Sequence, residues 1–185
     1  PGRSPVHAQH GMAATSHPLS SQVAIDVLKA GGNAMDGAVA ACAVQCVVEP
    51  GSTGIGGDNF CLYAPNGTDQ VVGFNGSGKA PADATIDHFE AAGIIKFDRR
   101  SPHSVTIPGA VDAWSQLLND HGRMSLQELL QPAIAYARDG YPISSRIVET
   151  APAGRHWGSK TLGHRYCPDP PWGHPSVPTP NPLQR

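Results

Sequence analysis

No apolar run in this sequence reaches the roughly 18 residues that a membrane-spanning helix needs. No charged-then-apolar leader is visible at the N-terminus. Charge is scarce as well: Asp, Glu, Lys and Arg make up 15% of the chain, and the net charge is −2. A nucleic-acid binder normally presents a basic face, so this balance argues against nucleic acid as the main partner. No CxxC pair occurs, and none of the four cysteines has a Cys/His spacing that resembles a zinc module. Cys42 and Cys46 lie four apart in an apolar helical run, Cys61 in a strand-like run and Cys167 in the C-terminal stretch. All read as buried free thiols. The nine histidines are scattered, and no GxSxG elbow accompanies the serines. No nucleophile–base–orienter set is therefore legible from spacing alone. There is no internal repeat. The chain begins with Pro1 rather than Met, which leaves open a targeting segment ahead of it, and with it the cellular location.

What is present points to one α/β domain, or part of one. A compact domain of 185 residues buries about 70% of its unfolded surface, so a real core is possible. The most informative segment is Thr53, Gly54, Ile55, Gly56, Gly57, Asp58. Three glycines in four positions free the backbone for positive φ and for close approach of another group. A helical run precedes them and a strand-like run follows, the reverse of a dinucleotide fingerprint. Asp58 and Asn59 stand where a Walker-type loop needs Lys followed by Ser or Thr. A small nucleotide-binding α/β domain is thus the weakest reading, and a tight turn beside a site the stronger one. Further on, Asn75, Gly76, Ser77, Gly78 and Lys79 offer backbone N–H groups, a hydroxyl and a cation. That set can hold a carboxylate, and it is equally the composition of a plain turn.

The periodicity predicts a helix from Pro18, with Leu19, Val23, Val27 and Leu28 at helical spacing and Gly31 and Gly32 ending it. A second helix runs from Ala34 to Val48, with Asn33 as N-cap and Asp36 near the positive end of its dipole. It is apolar nearly all round, which marks a buried helix, and Glu49 before Pro50 stops it. A hairpin follows: a strand over 59–64, a turn at Pro65, Asn66 and Gly67, and a strand containing Val71, Val72 and Phe74. A short helix over 85–93 is capped by Thr85. Short strands are expected over 11–16 and 104–107. A helix over 110–121 carries Val111, Trp114, Leu117 and Leu118 on one face. Ser125 and Glu128 form a capping box for a last helix carrying Leu126, Leu129, Leu130, Ile134 and Ala137. Residues 1–10 read as a ragged N-terminal lead-in, 11–150 as the folded domain, and 151–185 as a proline-rich, divergent or disordered tail.

Taken together, the motifs resemble one family. The string GMAATSHPLSSQVAIDVLKAGGNAMDGAVAACAVQCVVEP at 11–50, TGIGGD at 53–58, SVTIPGAVDAW at 104–114 and LQELLQPAIAYARDGYPIS at 126–144 resemble the gamma-glutamyltransferase family. That family comprises gamma-glutamyltranspeptidases, glutathione hydrolases and related acylases. The resemblance runs in order from about residue 8 to about residue 148 and falls on the first part of the large subunit.

The resemblance implies part of an αββα sandwich of the N-terminal-nucleophile hydrolases, made from a precursor several times larger than a typical domain. Such a precursor cuts itself, and a Thr becomes the N-terminus of a small subunit and the nucleophile. The Thr's own α-amine, with a pKa near ~8, serves as base. The hydroxyl attacks a γ-glutamyl amide, backbone N–H groups stabilise the oxyanion, and water or an amino acid takes the acyl group. No metal or organic cofactor is implied. The nucleophile-bearing small subunit is absent from this sequence, so no catalytic residue is assigned here, and the chain alone is expected to be inactive. The missing small subunit or C-terminal half is the implied partner, beside a γ-glutamyl small molecule. Family members are often periplasmic, secreted or membrane-anchored.

Two departures from the family pattern matter. Where family members carry an Arg three positions before Ala80 and Pro81 to grip the substrate carboxylate, this chain has Ser77. A subset of the family carries NGSG followed by Arg or Lys before Ala-Pro, and Lys79 is that residue here, able to reach in as a point charge or to point to solvent. Ser77 and Lys79 are thus the candidate substrate-binding residues. From about residue 151 the resemblance stops, which fits a truncated gene, a frameshift or a divergent C-terminus. A non-catalytic remnant and a divergent acylase-like paralogue remain as alternatives.

Overall fold

The computed structural model describes residues 4–98 and 101–143. Cys167 and the expected tail over 151–185 lie outside the described residues. Among those residues the chain forms five α-helices and one two-stranded sheet, a mixed α/β arrangement.

Helix α1 (Pro18–Lys29) starts with proline in its first turn, where a missing N–H costs nothing. His17 caps it, with Nδ1 accepting the Leu19 N–H at 3.2 Å. Helix α2 (Ala34–Val48) opens on a capping box: the Asn33 side chain accepts the N–H groups of Met35 and Asp36, and the Asp36 carboxylate accepts that of Asn33. Nine of its fifteen residues are buried, as the all-round apolar composition predicts. Its small residues let α1 lie close: a Cβ placed on Gly37 would stand 3.4 Å from the Ala24 carbonyl.

Helices α4 (Ala110–His121) and α5 (Leu126–Asp139) also pack against α2. The core joins Val23, Met35, Val44, Val48, Trp114 and Leu129. Two expected core positions are exposed. Val111, in the first turn of α4, is 42% exposed, because Ala110, Ala113 and Trp114 take the buried side there. Ile134 is 46% exposed beside the buried Ala133 on α5.

Strands β1 (Phe60–Tyr63) and β2 (Val72–Asn75) form the expected antiparallel hairpin, with Phe60 opposite Asn75 and Cys61 opposite Phe74. The two-residue period puts Cys61, Tyr63 and Phe74 against the core. Phe60 and Leu62 face away, 71% and 82% exposed. The short helix α3 (Ile86–Ala91) is capped by the Thr85 hydroxyl, which accepts the His88 N–H.

Two expected strands are not formed. Over 11–16, Thr15 spends its polar groups on the start of α1: its N–H donates to Ser21 Oγ and its hydroxyl to the His17 carbonyl, leaving no ladder. Over 104–107, a 3-10 turn at Pro102–Ser104 takes up the start, and the rest is extended but makes one backbone bond to a distant segment, Ile107 N–H to the Lys79 carbonyl at 3.0 Å.

Candidate functional site

Three segments far apart in sequence meet at one backbone junction: 57–59 after the glycine turn, 76–79 after β2, and 106–110 ahead of α4. Asn59 and Gly76 exchange both backbone bonds, at 3.3 and 2.7 Å, extending the hairpin by one pair. The Gly57 carbonyl accepts the N–H groups of Gly109 and Ala110, at 3.1 and 3.0 Å, and so serves as an acceptor at the start of α4. Trp114 Nε1 donates to Asn59 Oδ1 at 3.3 Å from within the core.

The glycines of NGSG are required by contact. A Cβ on Gly78 would stand 1.4 Å from the Ile107 carbonyl oxygen, and one on Gly76 would stand 2.4 Å from Ala113 Cβ. On the facing segment, a Cβ on Gly109 would stand 2.4 Å from the Gly76 carbonyl oxygen. No side chain fits at these positions without moving backbone.

Asp58 ties the three segments together. Its Oδ1 accepts the Gly78 N–H at 3.1 Å and the Thr106 hydroxyl at 3.0 Å. Ser77 is half-buried, and both its N–H and its hydroxyl donate to Asn75 Oδ1, at 3.0 and 2.8 Å. Lys79 is exposed. The structure thus brings the two sequence-predicted site residues onto one loop. It also adds Asp58, which sequence reasoning used only as an argument against phosphate. Its signal was a carboxylate directly after glycines, a residue able to collect N–H groups from another segment.

The glycine turn itself differs from expectation. None of Gly54, Gly56 and Gly57 has positive φ. A Cβ on Gly54 or Gly56 would meet nothing within 4 Å. The turn lines an open cavity of about 430 Å³ together with Pro50, Ser52, Thr53 and Asp58. Within this chain neither backbone strain nor crowding requires those two glycines, so of the two reasons offered by the sequence only close approach of another group remains.

The buried-thiol reading also needs correction. Cys42 is exposed and Cys46 half-buried, because Ala40, Ala43 and Val44 occupy the core positions of α2, and Cys61 on β1 is half-buried. Desolvation raises all three thiols above their ordinary range, and Cys46 and Cys61 push Cys42 further. A raised thiol is mostly protonated near neutrality and a poor nucleophile. Among the described residues, no group of three or more His, Cys, Asp or Glu is placed to hold a metal ion, and no helix is long and apolar enough to cross a membrane.

Residues 20–156 match the family model described as Gamma-glutamyltranspeptidase. The chain is 40% identical over 134 residues to the glutathione hydrolase-like YwrD proenzyme of Bacillus subtilis strain 168, covering 72% of this chain and 25% of that protein. It is 37% identical over 142 residues to the oxamate amidohydrolase proenzyme of Klebsiella pneumoniae, covering 74% of this chain and 26% of that protein. Among solved structures, cephalosporin acylase from Bacillus halodurans superposes with a TM-score of 0.69 at 38% identity, over 80% of this chain and 29% of that one. The chain therefore spans about a quarter of the length of the curated relatives it matches. Its helices and hairpin are part of the α/β fold of these N-terminal-nucleophile hydrolases. With most of its length matched, and its motifs in the family order, the chain belongs to the gamma-glutamyltranspeptidase family.

Proposed function

We propose that this chain is the substrate-side part of an amide acyltransferase or hydrolase, with γ-glutamyl amides such as glutathione as its first substrate class. In this reading the nucleophile is an N-terminal Thr carried outside this chain. Its hydroxyl oxygen bonds the amide carbonyl carbon, its α-amine takes the proton, and the amine half of the substrate leaves. Water or an amino acid then takes the acyl group. The carrying observation is the junction that presents Ser77 and Lys79 on one loop beside an open, glycine-lined cavity. The exposed Lys79 supplies a positive charge for a substrate carboxylate, as a point charge rather than as the two-pronged grip of an arginine.

A further layer of protein suits the hairpin. Phe60 and Leu62 form an apolar outer face, which a second sheet would cover in an αββα sandwich. The described residues offer no activated nucleophile of their own: the buried imidazole of His17 accepts a backbone N–H, and its Nε2 has no protein partner. The chain alone is accordingly inactive in this reading. The test is release of the aniline from a γ-glutamyl anilide by the purified chain, before and after mixing with a Thr-led small subunit. Release by the chain alone would refute dependence on an outside nucleophile. No release from the mixture would refute a γ-glutamyl transfer role.

A second reading concerns the acyl group. The Ser77 hydroxyl is engaged with Asn75, and no arginine stands at that position. An acyl group without an α-carboxylate fits such a loop as well. Turnover of an uncharged acyl amide, with none of the γ-glutamyl anilide, selects it.

A further inference from the structure

We propose that Asp58 is the positioning residue of the Ser77–Lys79 loop. The function of that loop rests on the reading above; the clasp itself rests on geometry. Asp58 is the last residue of the glycine turn. Its Oδ1 takes the Gly78 N–H at 3.1 Å and the Thr106 hydroxyl at 3.0 Å, so one carboxylate oxygen joins the loop to the segment ahead of α4. Gly78 lies between Ser77 and Lys79, and its peptide orientation sets where both side chains start.

The other polar restraints act on neighbouring groups: Asn75 Oδ1 takes the Ser77 N–H and hydroxyl. The Lys79 carbonyl is held by Ile107 N–H, and Gly76 is held by Asn59, but the Gly78 N–H has only Asp58. Gly78 also touches the Ile107 carbonyl too closely to carry any Cβ, so no side chain of its own can brace it. Glycine has the widest choice of backbone conformations. The Ser77–Gly78 peptide, with glycine on one side, therefore gains from an outside restraint that helps present Lys79 in one place. A carboxylate acceptor is well suited to the task, since hydrogen bonds to an ionised acceptor are stronger than neutral ones.

The test uses the 185-residue chain, labelled with 15N. Hydrogen exchange at the Gly78 amide is measured in wild type, Asp58→Ala, Asp58→Asn and Thr106→Val, and each protein is titrated with L-glutamate while the Gly78 and Lys79 amides are followed. Asp58→Ala is expected to speed Gly78 exchange about 10-fold, the size expected for losing a bond to a charged acceptor, and to weaken glutamate binding at least fivefold. Asp58→Asn keeps an Oδ1 acceptor and is expected to restore most of both. Thr106→Val leaves Asp58 in place and should leave the Gly78 amide within about twofold of wild type, which separates the clasp from general loosening should Asp58→Ala unfold. Unchanged Gly78 exchange in Asp58→Ala, or equal acceleration in all three variants, overturns the proposal. If wild type binds no glutamate while Asp58→Ala still frees Gly78, the clasp stands and the carboxylate reading of Lys79 fails.

Discussion

Asp36 Oδ1 accepts the backbone N–H of Arg123 at 2.9 Å, across 87 positions of sequence. The same carboxylate takes the Met124 N–H at 3.2 Å and, through Oδ2, the Asn33 N–H at 2.7 Å. Asp36 is fully buried, so the first turn of α2 doubles as the binding point for the link between α4 and α5. Asn33 adds to it by donating its side-chain amide to the His121 carbonyl at 2.6 Å.

Replacing Asp36 with Ala leaves three part-buried backbone donors without their acceptor. Hydrogen bonds to charged groups contribute about 1.5–3 kcal/mol each in net terms. They share one side chain, so we expect a total loss of about 3–4 kcal/mol rather than the sum. Asp36→Asn should recover only part, because its NH2 group turns a donor toward donors. Urea unfolding of the two variants checks this. A loss below ~1 kcal/mol in Asp36→Ala would mean the link is held by packing alone.

His17 predicts a pH dependence. The ring is 4% exposed. Desolvation holds its pKa below the ordinary value, and the Glu49 carboxylate only partly offsets it. Protonation would also take away the Nδ1 lone pair that caps α1 at Leu19. Above ~6.5, the unfolded-state pKa, both states are neutral and the stabilisation is complete. As pH falls below that value the unfolded chain takes up the proton first. Stability is then lost until the lower folded-state pKa is reached. A plot of Tm against pH should therefore fall as the pH drops below about 6.5. Part of that fall should vanish in His17→Asn, which keeps a capping side chain without titrating. Parallel curves for the two proteins would rule the histidine out.

The glycines divide into two kinds with opposite expected behaviour. Ala at Gly78 or Gly109 places a Cβ 1.4 or 2.4 Å from a carbonyl oxygen, and the junction must open. A loss of at least ~2 kcal/mol is expected for each, within the range for overpacked sites. Ala at Gly54 or Gly56 meets open space at ordinary φ and should change stability by no more than about 0.5 kcal/mol. Thermal melts of the four variants decide the matter. A strong loss at Gly54 or Gly56 would show that the turn is a structural device of this chain and not a surface kept clear for another group.

How far the sequence reveals this structure depends on how far apart the partners are. The capping box of α2 is legible because Asn33 and Asp36 are three residues apart, and the hairpin because its turn residues lie between its strands. The other half of Asp36's role is invisible, since nothing local announces Arg123 and Met124 as donors. The same holds for Asp58, whose partners lie 20 and 48 positions on. Residues 104–107 look like a strand by composition. They lack a ladder because the facing glycines bring 76–79 in for a steric interlock, with one backbone bond at Ile107. The cysteine error has a different origin: on a helix apolar all round, periodicity does not say which side faces out, and Cys42 lies on that side.

Lys79 bears on substrate choice. Its side chain is exposed and no ion pair at it is found among the described residues, so its charge is free to meet a carboxylate. Under the proposed function, Lys79→Ala in a complete enzyme should raise KM for a γ-glutamyl anilide with little change in kcat, since in that reading the contact is remote from the bond broken and is made equally in ground and transition states. The expected rise is about 5–10-fold, the worth of one charge-assisted contact at a partly wet site. Ser77→Arg, which supplies a planar two-pronged donor, should lower KM by a similar factor if that position faces the carboxylate. An unchanged KM in Lys79→Ala with a lowered one in Ser77→Arg would move the carboxylate contact to position 77. No change in either would take the whole loop out of carboxylate recognition and favour an uncharged acyl group.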